Sequence, residues 1–149
     1  MKTLANNKRA VFDYQILEKF EAGIALLGHE VKAIRIGRIS LAGSYVVLKG
    51  EEVFLINCNI PPYQPKNTPS DYDPKRSRKL LLKKREIRRL LGKKKEQGLT
   101  LVPLKVYTKN KLIKVEVGLA KGKKKFDKRE AIKKREAERN IKRALARKI

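Results

Sequence analysis

The stretch from Lys121 to Ile149 limits what this chain can become more than any other. It holds fourteen Lys and Arg against four Asp and Glu, and no proline. Its large apolar residues are Phe126, Ile132, Ile141, Leu145 and Ile149. Full burial of each would contribute roughly 1.5–3 kcal/mol, whereas fixing the backbone costs about 1–2 kcal/mol per residue. The segment therefore cannot build a core of its own. Glu130 with Lys134 and Glu138 with Lys142 stand at helical i, i+4 spacing, worth only about 0.2–0.5 kcal/mol each, and the like-charge blocks Lys123–Lys125 and Lys133–Arg135 oppose them. Ala137, Ile141, Leu145 and Ile149 would form a narrow apolar seam on a helix. These features predict a tail that is disordered when free and helical on a polyanion. A plain solubility tail would need neither the helix formers nor the seam.

The preceding 120 residues suffice for one modest core, so the chain divides into a body, 1–120, and a tail, 121–149. The body is basic too, with 25 of the 39 Lys and Arg and 11 of the 15 Asp and Glu. Charge spread over both parts points to a large polyanion, nucleic acid first, because each neutralised phosphate releases counterions. A single cysteine, Cys58, excludes an internal disulfide framework, fits a reducing compartment, and reads as a small apolar residue in a strand. There is no 18-residue apolar run, the start MKTLANNKRA lacks a signal peptide's apolar centre, and tryptophan is absent. The expectation is a soluble, cytoplasmic protein with no membrane partner.

In chain order, residues 1–10 read as a polar entry segment with the basic cluster Asn7, Lys8 and Arg9. Phe12, Tyr14, Ile16 and Phe20 alternate with polar residues as in a half-buried strand, Gly23 suggests a bend, and residues 24–27 a further strand. Residues 28–37 predict a short helix with Leu27, Val31 and Ile34 on one face and Lys32 and Arg35 away from it. Residues 44–48 and 53–56 read as a hairpin. NIPPYQPKNTPSDYDP, from Asn59, holds five of the six prolines and is a loop, ending at Asp73 and Pro74 as a helix start. A helix then runs on to Gly92 or Gly98, with a dense basic surface opposite Leu80, Ile87 and Leu91. Residues 99–108 and 113–119 alternate as a second hairpin around KNK. Six short strands with helices inserted at two places predict a mainly β fold, a small antiparallel OB-type barrel with a basic C-terminal tail.

No catalytic set emerges. His29 is the sole histidine, no metal-ligand spacing occurs, and no serine sits in a nucleophile motif. Asp71 and Asp73 with Glu51 or Glu52 could in principle hold Mg²⁺ for RNA cleavage, but a turn and a helix cap account for both aspartates more simply. The expectation is no enzyme, no cofactor and no metal.

Four strings carry more information than periodicity: NKRA from Asn7, FEAGIALLGHEVKAIR from Phe20, YDPKRSRKLLL from Tyr72 and GLAKGKKKFDKRE from Gly118. In this order and at these spacings they closely resemble the SsrA-binding (SmpB) protein family, over nearly the whole chain. The resemblance implies an OB-type barrel that binds the tRNA-like domain of transfer-messenger RNA (tmRNA) and escorts it to ribosomes stalled on messages without a stop codon. It also implies a tail that enters the empty messenger channel near the decoding centre, meets small-subunit ribosomal RNA, and folds there as a helix. Elongation factor Tu and alanyl-tRNA synthetase become partners indirectly, through the RNA.

By position, the resemblance places Asn7, Lys8, Arg9, Tyr14, Glu21, Lys32, Arg35, Leu81 and Lys83 at the RNA surface. It places Lys121, Lys123, Lys124, Phe126, Asp127, Lys128 and Arg129 in the ribosome-binding tail. Lys32 and Arg35 can neutralise phosphates and Tyr14 can stack, whereas Glu21 suits base or sugar donors. His29, Lys83 and Phe126 depart from the commoner family residues at their positions. A structural ribosomal protein is the alternative reading.

Overall fold

The computed structural model describes residues 1–94, 98–123 and 135–143. Seven antiparallel strands form one sheet in the order β1-β6-β7-β2-β5-β4-β3, and β3 comes round against β6 so that the sheet rolls into a small barrel. The elements are β1 (Lys2–Asn6), α1 (Lys8–Asp13), β2 (Tyr14–Ile24), α2 (Gly28–Arg35), β3 (Tyr45–Lys49) and β4 (Glu52–Ile56). They continue as β5 (Arg78–Leu81), α3 (Lys84–Lys94), β6 (Leu99–Lys109) and β7 (Leu112–Gly122). The mainly β architecture expected from the sequence is the one observed.

Three eleven-residue strands, β2, β6 and β7, make the spine. Their inward side chains, among them Phe20, Ala22, Val106, Val115, Val117 and Leu119, meet Val53, Leu55 and Leu80 from β4 and β5. Ala33 and Ile34 of α2 and Leu90 of α3 join the same cluster, so both helices face the core with apolar residues and turn their cations outward. The β6–β7 turn puts Asn110 and Lys111 at φ 51° and 64°, the left-handed geometry that a two-residue hairpin needs. Gly118 sits where a Cβ would lie 3.0 Å from Leu104 Cδ1, so a side chain there would force Leu104 to shift.

The strand count is seven rather than six: residues 24–27 form no strand of their own, residues 78–81 add β5, and residues 2–6 pair with the edge of β6, Lys2 opposite Thr108 and Asn6 opposite Lys105. The burial of residues 2–6 shows no clean alternation, which hid that strand. The alternation beginning at Phe12 spans two elements: α1 ends at Asp13 and β2 starts at Tyr14. A helix of six residues is too short to leave a helical period. Gly23 does not bend the chain into a new strand at 24–27; it remains in β2, where a Cβ would lie 3.3 Å from Leu81 Cβ and crowd it.

Residues 78–81 are a strand, not the start of a helix. Arg78 and Leu80 point inward and Lys79 and Leu81 outward, a period-two pattern concealed by the run of leucines. Asp73 and Pro74 belong to a turn in which Asp73 Oδ1 accepts the Lys75 amide at 2.9 Å. The helix instead begins at Lys84, and Glu86 accepts the Lys83 amide at 3.1 Å. Gly92 lies inside α3, and Gly98 enters β6 at φ +82°. Cys58 is fully buried, though in the bend after β4 rather than within a strand. Lys121 still pairs with Gln15 and Leu99, so the barrel continues two residues past the boundary drawn at 120.

Candidate RNA-binding surface

Helix α2 follows β2 after three residues, and its first turn is organised by Glu30. The Leu27 amide donates to Glu30 Oε1 at 2.8 Å, which satisfies one of the helix's unpaired amides. Ala33 and Ile34 then anchor the buried face, leaving Lys32 and Arg35 outward. Lys32 Nζ lies 6.0 Å from the centre of the Tyr63 ring. Arg35 donates to the Lys111 carbonyl at 3.2 Å, tying the C-terminus of α2 to the β6–β7 turn.

Between these elements lies a shallow depression of about 320 Å³, floored by Ile24, Val31 and Ile113 and rimmed by Arg35, Lys111 and Lys114. Leu81 and Leu112 reach it with 53% and 59% of their surface exposed. Exposed leucines among cations give a bed for a base with phosphate contacts around it.

Glu21 stands on the outer face of β2, opposite Glu116 on β7. Tyr107 Oη donates to its Oε2 at 2.6 Å, and Lys109 Nζ does so at 3.3 Å. The Tyr107 hydrogen bond is the chief reason its carboxyl stays below the usual carboxylate range; partial burial opposes it, and Lys109 and Lys114 assist. Burial and that same hydrogen bond push the Tyr107 phenol upward. Oε1 has no partner among the described residues, which leaves a braced, ionised acceptor facing outward. Tyr107→Phe is expected to move the Glu21 carboxyl back toward its ordinary pKa, read by NMR titration, at a stability loss of about 0.5–1.5 kcal/mol. An unmoved Glu21 would assign the bracing to the lysines instead.

The sequence reading missed the cluster behind this surface. Glu30 and Arg78 are fully buried. Arg78 Nε donates to Glu30 Oε2 at 2.8 Å and Arg76 Nε to the same oxygen at 3.1 Å. Arg78 also donates to the carbonyls of Cys58 (2.7 Å) and Pro74 (3.0 Å). The Tyr72 hydroxyl has one proton to divide between the Ile60 carbonyl at 2.7 Å and Glu30 at 3.0 Å, while accepting from Arg78 at 3.1 Å. Burial alone would raise the Glu30 pKa. The Arg76 bond, the Leu27 amide and Arg78 outweigh it and hold the carboxyl at about 2. Burial and Glu30 together push Tyr72 up to about 12. The proline-rich loop is thus clamped to α2, and Tyr63 with it. The available signal was Glu30 at the third position of a helix, with Tyr72 at the end of the expected loop and Arg76 and Arg78 in the stretch after it that reads as helix.

The residues placed at the RNA surface by resemblance fall into two groups. Glu21, Lys32, Arg35, Leu81 and Lys83 gather around the C-terminal end of β2, where Gly23 pairs with Leu81. Asn7, Lys8, Arg9 and Tyr14 lie at its N-terminal end, about 25–30 Å away by strand rise. There Asn7 is an internal tie: its Oδ1 accepts the Ala10 amide at 3.3 Å and its Nδ2 donates to the Pro103 carbonyl at 2.8 Å. Lys8 and Arg9 are exposed on α1, and Arg9 pairs with Asp13 at 3.4 Å. Tyr14 is half-buried against the small cluster of Ala10, Val102, Leu104 and Ala120.

The tail departs from this second end. The Lys123 amide donates to the Asp13 carbonyl at 3.0 Å and its Nζ to the Val11 carbonyl at 3.1 Å. Lys124, Phe126, Asp127, Lys128 and Arg129 lie outside the described residues. Residues 135–143 are helical with every side chain exposed, and Arg135 places its guanidinium 5.3 Å from the centre of the Phe12 ring. Burial pushes the Cys58 thiol up to about 11, which favours the thiol over the thiolate.

The family model described as SmpB protein matches residues 4–147. The SsrA-binding protein of Carboxydothermus hydrogenoformans is 55% identical over 144 residues, spanning 97% of this chain and 96% of the relative. That of Thermosipho africanus is 54% identical over 148 residues, 99% of each. A chain solved in a structure of tmRNA-SmpB and the bacterial ribosome aligns with a TM-score of 0.66 and 49% identity, over 85% of this chain and 92% of the other. With the family model and relatives matching almost end to end, the chain belongs to the SmpB family of SsrA-binding proteins.

Proposed function

We propose that this chain is the RNA-binding adaptor of trans-translation. It holds the tRNA-like domain of tmRNA on the end of the barrel that carries Arg35, Glu21 and Leu81, and delivers it to stalled ribosomes. The tail occupies the empty messenger channel and meets small-subunit RNA there. The observation that carries the reading is the meeting at one barrel end of outward cations, an apolar depression and a braced carboxylate, in a member of this family. Lys32, Arg35 and Lys83 neutralise phosphates, Leu81 and Leu112 receive a base, and Glu21 accepts from base or sugar donors.

Asn7 fixes α1 so that Lys8, Arg9 and Tyr14 extend the contact toward the root of the tail, where Lys121 and Lys123 begin the ribosomal part. Through the RNA the chain comes together with elongation factor Tu and alanyl-tRNA synthetase in the cytoplasm. A structural ribosomal protein shares the basic barrel, but the full-length match to proteins named for binding SsrA favours the adaptor.

The test is binding to the isolated tRNA-like domain across a salt series. Each neutralised phosphate is expected to add about 0.7–0.9 to the negative slope of log affinity against log salt. Arg35→Ala should weaken binding and lower the slope by about one such step. A flat salt dependence, or equal affinity for an ordinary RNA hairpin of the same length, would overturn the proposal.

A further inference from the structure

Helix α3 carries a second cationic face that neither the fold nor the contacts above explain. Leu90 is fully buried and Ile87 packs on the core, which directs Lys84, Arg85 and Arg88 into solvent, all three exposed. None of the three has an ionic or hydrogen-bonded partner among the described residues. Arg89, by contrast, pairs with Glu18 of β2 at 2.8 Å.

The arrangement is unfavourable as it stands. Lys84 and Arg85 occupy the first turn, where the positive end of the helix dipole repels cations. Lys84 with Arg88 and Arg85 with Arg89 are like-charge pairs at i, i+4, each destabilising the helix by a few tenths of a kcal/mol. Among the described residues, Glu86 in the first turn and the Glu18 partner of Arg89 offset this in part, whereas a run of phosphates would neutralise Lys84, Arg85 and Arg88 directly.

Position indicates which phosphates. α3 begins one residue after Lys83 and three after Leu81, so its free cations continue the surface proposed for the tRNA-like domain without a break. Its course from Lys84 to the Arg89–Glu18 pair runs back along β2 toward the strand end where the tail leaves. We infer that the outer face of α3, through Lys84, Arg85 and Arg88, is a further RNA-binding surface that grips the sugar–phosphate backbone of the RNA seated on the barrel end, extending its footprint toward the tail. The contact is to backbone rather than bases, since it consists of cations alone with no aromatic ring or amide among them.

This inference rests on the proposed function, and one experiment separates the two. The full chain and its Lys84→Ala/Arg85→Ala/Arg88→Ala variant are titrated with the isolated tRNA-like domain over a salt series, and in parallel with purified small ribosomal subunits. Alanine is the strongest helix former and the changes relieve like-charge repulsion, so the variant should unfold at the same denaturant concentration or a higher one. The expected result is a salt slope for the tRNA-like domain shallower by about 2, and affinity weaker by about 10-fold or more near 0.1 M salt, with subunit binding changed far less. An unchanged slope for the RNA, or a loss confined to the ribosomal subunit, overturns the inference. Failure of the unaltered chain to bind the tRNA-like domain would instead refute the proposed function itself.

Discussion

Glu30→Ala is expected to destabilise the fold by about 3–5 kcal/mol, the range for removing one partner of a buried ion pair. The change leaves Arg78 fully buried with its charge uncompensated and deprives Arg76 and Tyr72 of an acceptor. A domain of this size has about 5–15 kcal/mol in total, so the variant should show a large fall in its denaturation midpoint. A shift under about 1 kcal/mol would mean that water reaches the site and solvates Arg78. Replacing both partners, as Glu30→Leu with Arg78→Met, should cost less than the sum of the single changes, because the uncompensated charge disappears.

The same carboxyl gives the fold an acid limb. Its pKa in the folded chain is about 2, below the ordinary 4.5, so the stability it contributes is complete above about pH 4.5 and is lost as pH falls toward 2. Unfolding free energy should therefore drop across that window in the native chain and much less in Glu30→Gln. The consequence reaches the surface as well. Tyr63 is carried by the loop that Glu30 clamps, and Lys32 rests over its ring, so loosening the clamp frees Lys32 to move.

Which parts of this fold the sequence disclosed follows from how each part is stabilised. The 45–49/52–56 and 99–109/112–122 hairpins are held by alternating apolar residues and a short turn between them, and both features are local, so they were legible. Helix α2 was legible because Val31 and Ile34 repeat at helical spacing. β5 was not, because its decisive inward residue is Arg78, a cation whose burial depends on Glu30, distant by 48 positions. β1 and α1 were missed for the opposite reason: they are short, lie at an edge, and owe their form to β6 and to the Asn7 cap. Of the surface, Lys32, Arg35 and Leu81 came from family resemblance and do gather at one end. Tyr107 as the brace on Glu21 was invisible, since the two meet across 86 residues. The basic side of α3 was visible as charge, although the lack of partners for Lys84, Arg85 and Arg88 among the described residues was not.

Two truncations whose cut sites lie five residues apart are expected to behave differently. Cutting after Lys123 removes residues 124–149, with twelve Lys and Arg and four Asp and Glu, and leaves β7 and the Lys123 contacts to Val11 and Asp13 intact. That variant should fold, bind the tRNA-like domain within about tenfold of the full chain, since the body's own phosphate contacts remain, and fail to support tagging on stalled ribosomes. Cutting after Gly118 shortens β7 by four residues and takes away Leu119 and Ala120, which are 2% and 0% exposed. Loss of a buried leucine alone costs about 2–5 kcal/mol, and the first residues of β2 lose their pairing partners, so this shorter chain should be much less stable and bind RNA poorly for that reason. The pair separates the tail's role from that of the strand beneath it. If the chain ending at Lys123 is folded by circular dichroism yet fails to hold the tRNA-like domain, RNA capture belongs to the tail as well as the barrel; if it still supports tagging, the ribosomal role assigned to the tail is wrong.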